Sequence, residues 1–110
     1  MTTKEYEREV IRTTDHSLDH RNMMIDAALC LAGEAGEVVE LIKKWAYRGH
    51  ELDRTHVLEE LSDVAWALTR LSLGYGFTLD QIMEANAEKM RIRYPEGFTK
   101  EDSIRRADHG

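Results

Sequence analysis

The stretch LAGEAGEVVELIKK, residues 31–44, carries Glu34, Glu37 and Glu40 at three-residue intervals in a run that is otherwise mostly apolar. A solvated charged face is the simplest reading of that spacing, and the neighbouring residues argue against it. At about 100° per residue, Ile25, Ala28, Leu29, Ala32, Ala35, Val39 and Ile42 form one broad arc, while Leu31, Val38, Leu41 and Trp45 cover much of the rest. A helix apolar over most of its circumference is buried on several sides. A lone chain of 110 residues offers little to bury it against. A homodimer, or a dimer of dimers, is therefore the expected assembly. Glu34 and Glu37 lie about 60° apart at the border of the apolar arc. Glu40 turns toward Lys43 and Lys44 and reads as an ordinary solvated residue.

Working outward, the chain predicts an all-α fold. A first, weakly periodic helix covers residues 4–14, and the second covers 22–47 until RGHELD breaks it at Gly49. Asp53 is the expected N-cap of a third helix that runs to about residue 73, where GYG stops it. Thr78 or Asp80 opens the fourth, and Tyr94-Pro95 closes it, because the residue before a proline is pushed out of the α region. The remainder, EGFTKEDSIRRADHG, is polar and reads as a tail that is loosely ordered or drapes over a partner. Short connections imply an antiparallel bundle of about four helices, completed by homodimerisation. The whole chain, 1–110, reads as a single domain with its core between residues 22 and 98.

The third helix sharpens the question of the glutamates. Val57, Leu61, Val64, Leu68 and Leu71 form its expected core stripe. Glu60 falls inside the apolar sector and Asp63 at its edge, whereas Glu59 points away together with Arg70. Carboxylates set against apolar arcs are costly unless a cation compensates them. Two such pairs on adjacent helices, Glu34/Glu37 and Glu60/Asp63, can converge on hard divalent cations. Mg²⁺ is the natural candidate, with Mn²⁺ able to substitute, because it takes oxygen ligands and suits phosphate substrates. Di-iron bundles need Glu-x-x-His pairs, and neither pair here has a histidine at the fourth position.

The fourth helix adds cations. Leu79, Ile82, Met83 and Met90 mark its core stripe, Asn86 lies within it, and Lys89 and Arg93 flank the same face. That strip suits phosphate oxygens, Arg93 with its forked donor geometry above all. Trp66 and Trp45 are candidates for stacking on a base or, more commonly, for packing between helices. His16 and His20 have the i,i+4 spacing of a zinc pair but no accompanying ligands, and His56 reads as an exposed residue at a helix start.

Bulk properties bound the partners. A net charge of −6 argues against nucleic acid as a main partner. Cys30 is the only cysteine, no run approaches the length of a membrane span, and the N-terminal residues lack the apolar core of a signal peptide. The cytoplasm is the expected location.

GEAGEVVELIKK, then EELSDVAW, then NAEKMRIRYPEGF together resemble the MazG-like nucleotide pyrophosphohydrolases of the all-α NTP pyrophosphatase superfamily. The resemblance covers about residues 22–98. It implies Mg²⁺ ligation by Glu34, Glu37, Glu60 and Asp63, and substrate contacts from Asn86, Lys89, Arg93 and Tyr94. The implied reaction converts a nucleoside triphosphate to its monophosphate and pyrophosphate, with Glu37, then Glu34, as candidate general base. It also implies dimers or dimers of dimers. A dedicated dCTP- or dUTP-type enzyme and a non-catalytic helical dimerisation module are the alternatives.

Overall fold

The computed structural model describes residues 1–109 and contains five α-helices and one 3₁₀ turn, with no β-strand among those residues. Each helix begins at a side-chain cap. Thr2 and Glu5 form a capping box at the start of α1 (Thr3–Arg12). Asp19 accepts from the Asn22 N–H and opens α2 (His20–Tyr47) two residues earlier than expected. Asp53 accepts from the N–H groups of Thr55 and His56 at α3 (Arg54–Gly74). Thr78 and Gln81 form a second capping box at α4 (Leu79–Arg93), and Tyr94 ends that helix just before Pro95.

The C-terminal segment departs from the expectation of a loose polar tail. Thr99 caps a short α5 (Lys100–Arg105), Arg106 adopts a left-handed conformation at φ 52°, and Ala107–His109 close as a 3₁₀ turn. The local reason is the TKED sequence, which supplies a cap and two acidic residues to the first turn.

α2 and α3 run antiparallel against each other and form the spine. Met24 lies against Gly74, Asp26 against Arg70, and Glu34 against Glu60 and Asp63. The α3 face turned to α2 thus carries Glu60, Asp63, Ala67, Arg70 and Gly74, spaced three and four apart. The stripe expected to form the α3 core lies to one side of it, and two of its residues, Leu61 and Leu68, are exposed. Val57, Val64 and Leu71 of that stripe are half-buried, and none of its five residues is fully buried. Arg70, expected to be solvated, is buried.

α1 is bolted across the spine by polar contacts. Trp66 Nε1 donates to Thr13 Oγ1 at 2.8 Å, the Leu79 N–H donates to Glu7 at 2.8 Å, and Thr3 Oγ1 donates to Asp80 at 2.8 Å. The Glu7 carboxylate thereby satisfies an otherwise orphaned donor at the positive end of α4.

The single chain buries little. Val10, Ala27 and Ala67 are its fully buried apolar residues among those described. Its radius of gyration is 17.2 Å, against about 13 Å for a compact chain of this length. Its accessible surface is 8196 Å², about 2,000 Å² more than a compact protein of this mass exposes. Much of the surplus is apolar: Leu29 is 67% exposed and Val39 65%, and Ile25, Ile42 and Trp45 join them along α2. No helix among the described residues is long and apolar enough to cross a membrane.

Candidate metal centre

Antiparallel pairing of α2 with α3 brings three carboxylates together. Glu34, Glu60 and Asp63 each offer an oxygen, and these atoms all lie within 4.8 Å of one another. Glu34 and Glu60 are half-buried, while Asp63 is exposed. Burial, followed by the negative charges of Asp63, Glu60 and Glu37, pushes the Glu34 carboxyl above the ordinary glutamate range. A ring of hard oxygen donors with no sulfur among them fits Mg²⁺ or Mn²⁺ and suits zinc poorly.

Glu37, one turn along α2, is exposed and stands outside that trio, although its charge reaches Glu34. Glu40 pairs with Lys43 at 3.0 Å, the solvated role expected of it. His56 is exposed as expected, yet its Nε2 lies 3.3 Å from Glu60 Oε1 one turn away and can hold that carboxylate in place. Tyr6 of α1 feels the Asp63 charge, which adds to burial in raising its phenol above the usual range.

The expected phosphate-binding residues divide. Asn86 and Lys89 are exposed on α4. Tyr94 is half-buried against Phe98, with ring centroids 5.4 Å apart. Arg93, expected to clamp phosphate, is committed elsewhere: Nε and Nη2 each donate to Asp108 at 2.8 Å, in a bidentate pair whose carboxylate is 1% exposed. The folded C-terminus has filled the guanidinium fork with a carboxylate, which uses the same donor geometry that a phosphate would.

Trp66, a candidate base contact, has its indole N–H occupied by Thr13 and its ring beside the Arg70 guanidinium, so it works as a joint between α1 and α3. His16 binds the Ile11 carbonyl from the loop after α1, whereas His20 opens α2, so the two do not share a helix.

The MazG nucleotide pyrophosphohydrolase domain matches residues 24–98, well over half of the chain. The chain belongs to the MazG nucleotide pyrophosphohydrolase family. No curated protein and no solved structure matches it. The MazG segment contains the acidic trio, Glu37, and the α4 residues Asn86 and Lys89. It leaves out Tyr6, Thr13 and Asp108. Sequence reasoning passed over Tyr6 and His56 as site neighbours. His56 carried a signal, since it stands four residues before Glu60 on one helix face. Tyr6 carried none, because its placement depends on how α1 crosses α3.

Proposed function

We propose that this MazG-family protein is a Mg²⁺-dependent nucleoside triphosphate pyrophosphohydrolase that releases the monophosphate and pyrophosphate, with broad or deoxy-preferring substrate use. The convergence of Glu34, Glu60 and Asp63 within 4.8 Å carries the reading. Three like charges held together by two packed helices call for a counter-cation. Glu34, Glu60 and Asp63 would hold it, and Mn²⁺ would serve in place of Mg²⁺. When bound, the cation supplies positive charge against the phosphate oxygens and makes a nearby water more acidic.

The remaining steps belong to the chain's own side chains. Glu37, exposed and free of the trio, orients the attacking water and takes its proton on a carboxylate oxygen. Glu34 is the second candidate for that role. Attack breaks the linkage between the α and β phosphorus atoms. Lys89 and Asn86 donate to the phosphate oxygens, and Tyr94 borders them.

The working unit in this proposal is a homodimer, or a dimer of dimers, closing a helical bundle. The support is the surplus surface. About 2,000 Å² per chain beyond a compact fold is enough for a standard or larger interface, and the exposed apolar residues of α2 and α3 supply it. Activity on free nucleotides and a lone reduced thiol suit the cytoplasm.

Incubating the protein with each common ribo- and deoxynucleoside triphosphate, with Mg²⁺ and with EDTA, tests the reading by product chromatography. Metal-dependent monophosphate and pyrophosphate are expected. Diphosphate with orthophosphate would place the cleavage at the wrong bond, and no turnover would favour a binding module.

A further inference from the structure

Arg70 is the most deeply buried charge on the spine. Its side chain is 4% exposed, and Nη1 lies 2.7 Å from Asp26 Oδ2 across the α2–α3 interface. Nε and Nη2 have no hydrogen-bond partner. The other neighbours are poor acceptors: Cys30 Sγ at 4.0 Å and the Trp66 ring, 5.5 Å from the guanidinium carbon. A buried guanidinium with two idle donors is a net cost to stability, so its presence calls for another reason.

The rest of the interface supplies one. Ala27 and Ala67 are small, and the large side chain seated across the seam is Met24, a flexible thioether over Gly74 that can follow a sliding helix. Thr69 and Ser72 are buried, but their hydroxyls turn back to the Ala65 and Leu68 carbonyls of their own helix. Among the described residues, no hydrogen bond or ion pair joins α2 to α3 other than those of Arg70. Sliding by one turn moves a helix about 5.4 Å. That exceeds the 4.8 Å within which the three carboxylates meet.

We propose that the Arg70–Asp26 pair is a positioning element that fixes the register of α2 against α3, and thereby holds Glu34 opposite Glu60 and Asp63. Asp26 lies two turns before Glu34 on α2, and Arg70 two turns after Asp63 on α3. The pair thus acts about 12 Å along the helix axis from the carboxylates and does not touch substrate. Register specification is the best-attested use of a buried polar group between helices. The inference rests on the metal reading of the carboxylate trio.

The test compares the full chain with two variants, all in a Cys30→Ser background. Asp26→Leu/Arg70→Met removes both charges and leaves no buried ion unpaired. Arg70→Lys keeps a cation for the single contact that Arg70 makes to Asp26. Three quantities are read: the melting midpoint, Mn²⁺ affinity by paramagnetic resonance titration, and the intrachain distance between spin labels on Lys43→Cys and Glu59→Cys. Distances are recorded without metal, in labelled chain diluted with unlabelled chain.

The double apolar variant is expected to melt within about 5 °C of its parent. Its distance distribution should broaden or move by about a helical turn, and its Mn²⁺ affinity should fall about 10-fold, the low end for loss of a metal site's support. Arg70→Lys should keep a single distance and an affinity within about 3-fold of the parent. A folded double variant with the parent's distance distribution overturns the proposal, whatever its metal affinity. If the double variant does not fold, Asp26→Asn carries the same readouts and the same criteria. A parent that binds no Mn²⁺, yet shows distances dependent on the pair, leaves the register assignment standing and removes the metal reading instead.

Discussion

Glu34 is a carboxylate held where carboxylates repel. Burial and three acidic neighbours raise its pKa above the ordinary value of 4.5, so the metal-free folded protein binds this proton more tightly than the unfolded chain does. The stability consequence has a definite sign: it is favourable below pH 4.5 and declines as pH rises through the raised value. Glu34→Gln should therefore raise the melting midpoint in EDTA at pH 7 by about 2–4 °C while abolishing the stabilisation by Mg²⁺ that the proposed site predicts for the wild type. A melt with and without metal reads both effects. Asp108 has the opposite sign. The Arg93 guanidinium holds it far below the ordinary 3.8, so the stability it contributes is complete above that value and lost as pH falls beneath it. Asp108→Ala should lower the midpoint at pH 7 and expose residues 99–109 to limited proteolysis, with little effect on the Mn²⁺ affinity of the trio.

Helix starts were legible from single residues, because a cap is a local event: Asp53 and Thr78 open α3 and α4 as their side-chain chemistry requires. Pro95 marked the end of α4 equally well. The spacing set Glu34 and Asp63 at the edges of apolar arcs and Glu60 inside one, and the structure brings an oxygen of each within 4.8 Å of the others, with Asp63 exposed. The partner of each face was not legible. The leucines of α3 define the apolar stripe, but α2 packs on the neighbouring face of Ala67, Arg70 and Gly74, so Arg70 read as solvated. The fate of Arg93 was hidden for a different reason, since its partner Asp108 lies beyond a turn that bends at Arg106. Gly74 shows how close the spine is packed. A Cβ there would stand 2.2 Å from Met24 Sδ, so Gly74→Ala should destabilise by about 1 kcal/mol despite the better helix propensity of alanine. Denaturant melts with an unchanged slope would register this as a stability loss alone.

The whole chain is extended for its length, with a radius of gyration of 17.2 Å and apolar residues along the outer faces of α2 and α3. Leu58 also lines an apolar hollow of about 390 Å³ with Leu52, Val57 and Leu61, the kind of surface that a second chain covers. Leu29→Glu with Leu58→Glu should convert the proposed dimer to monomers in light scattering and lower the melting midpoint, since association and folding stability are linked. Wild-type protein should melt at a higher temperature as its concentration rises. The proposed chemistry requires a cation that the carboxylates would hold, so the decisive quantity is the dependence of pyrophosphate release on Mg²⁺ concentration, compared between wild type and Asp63→Asn with a deoxynucleoside triphosphate. Saturable release that vanishes in EDTA is expected, with Asp63→Asn needing about 10-fold more Mg²⁺ and turning over at least about 100-fold more slowly. Release that continues in EDTA, or a Mg²⁺ curve that Asp63→Asn leaves unchanged, would contradict the assignment of these carboxylates to the reaction.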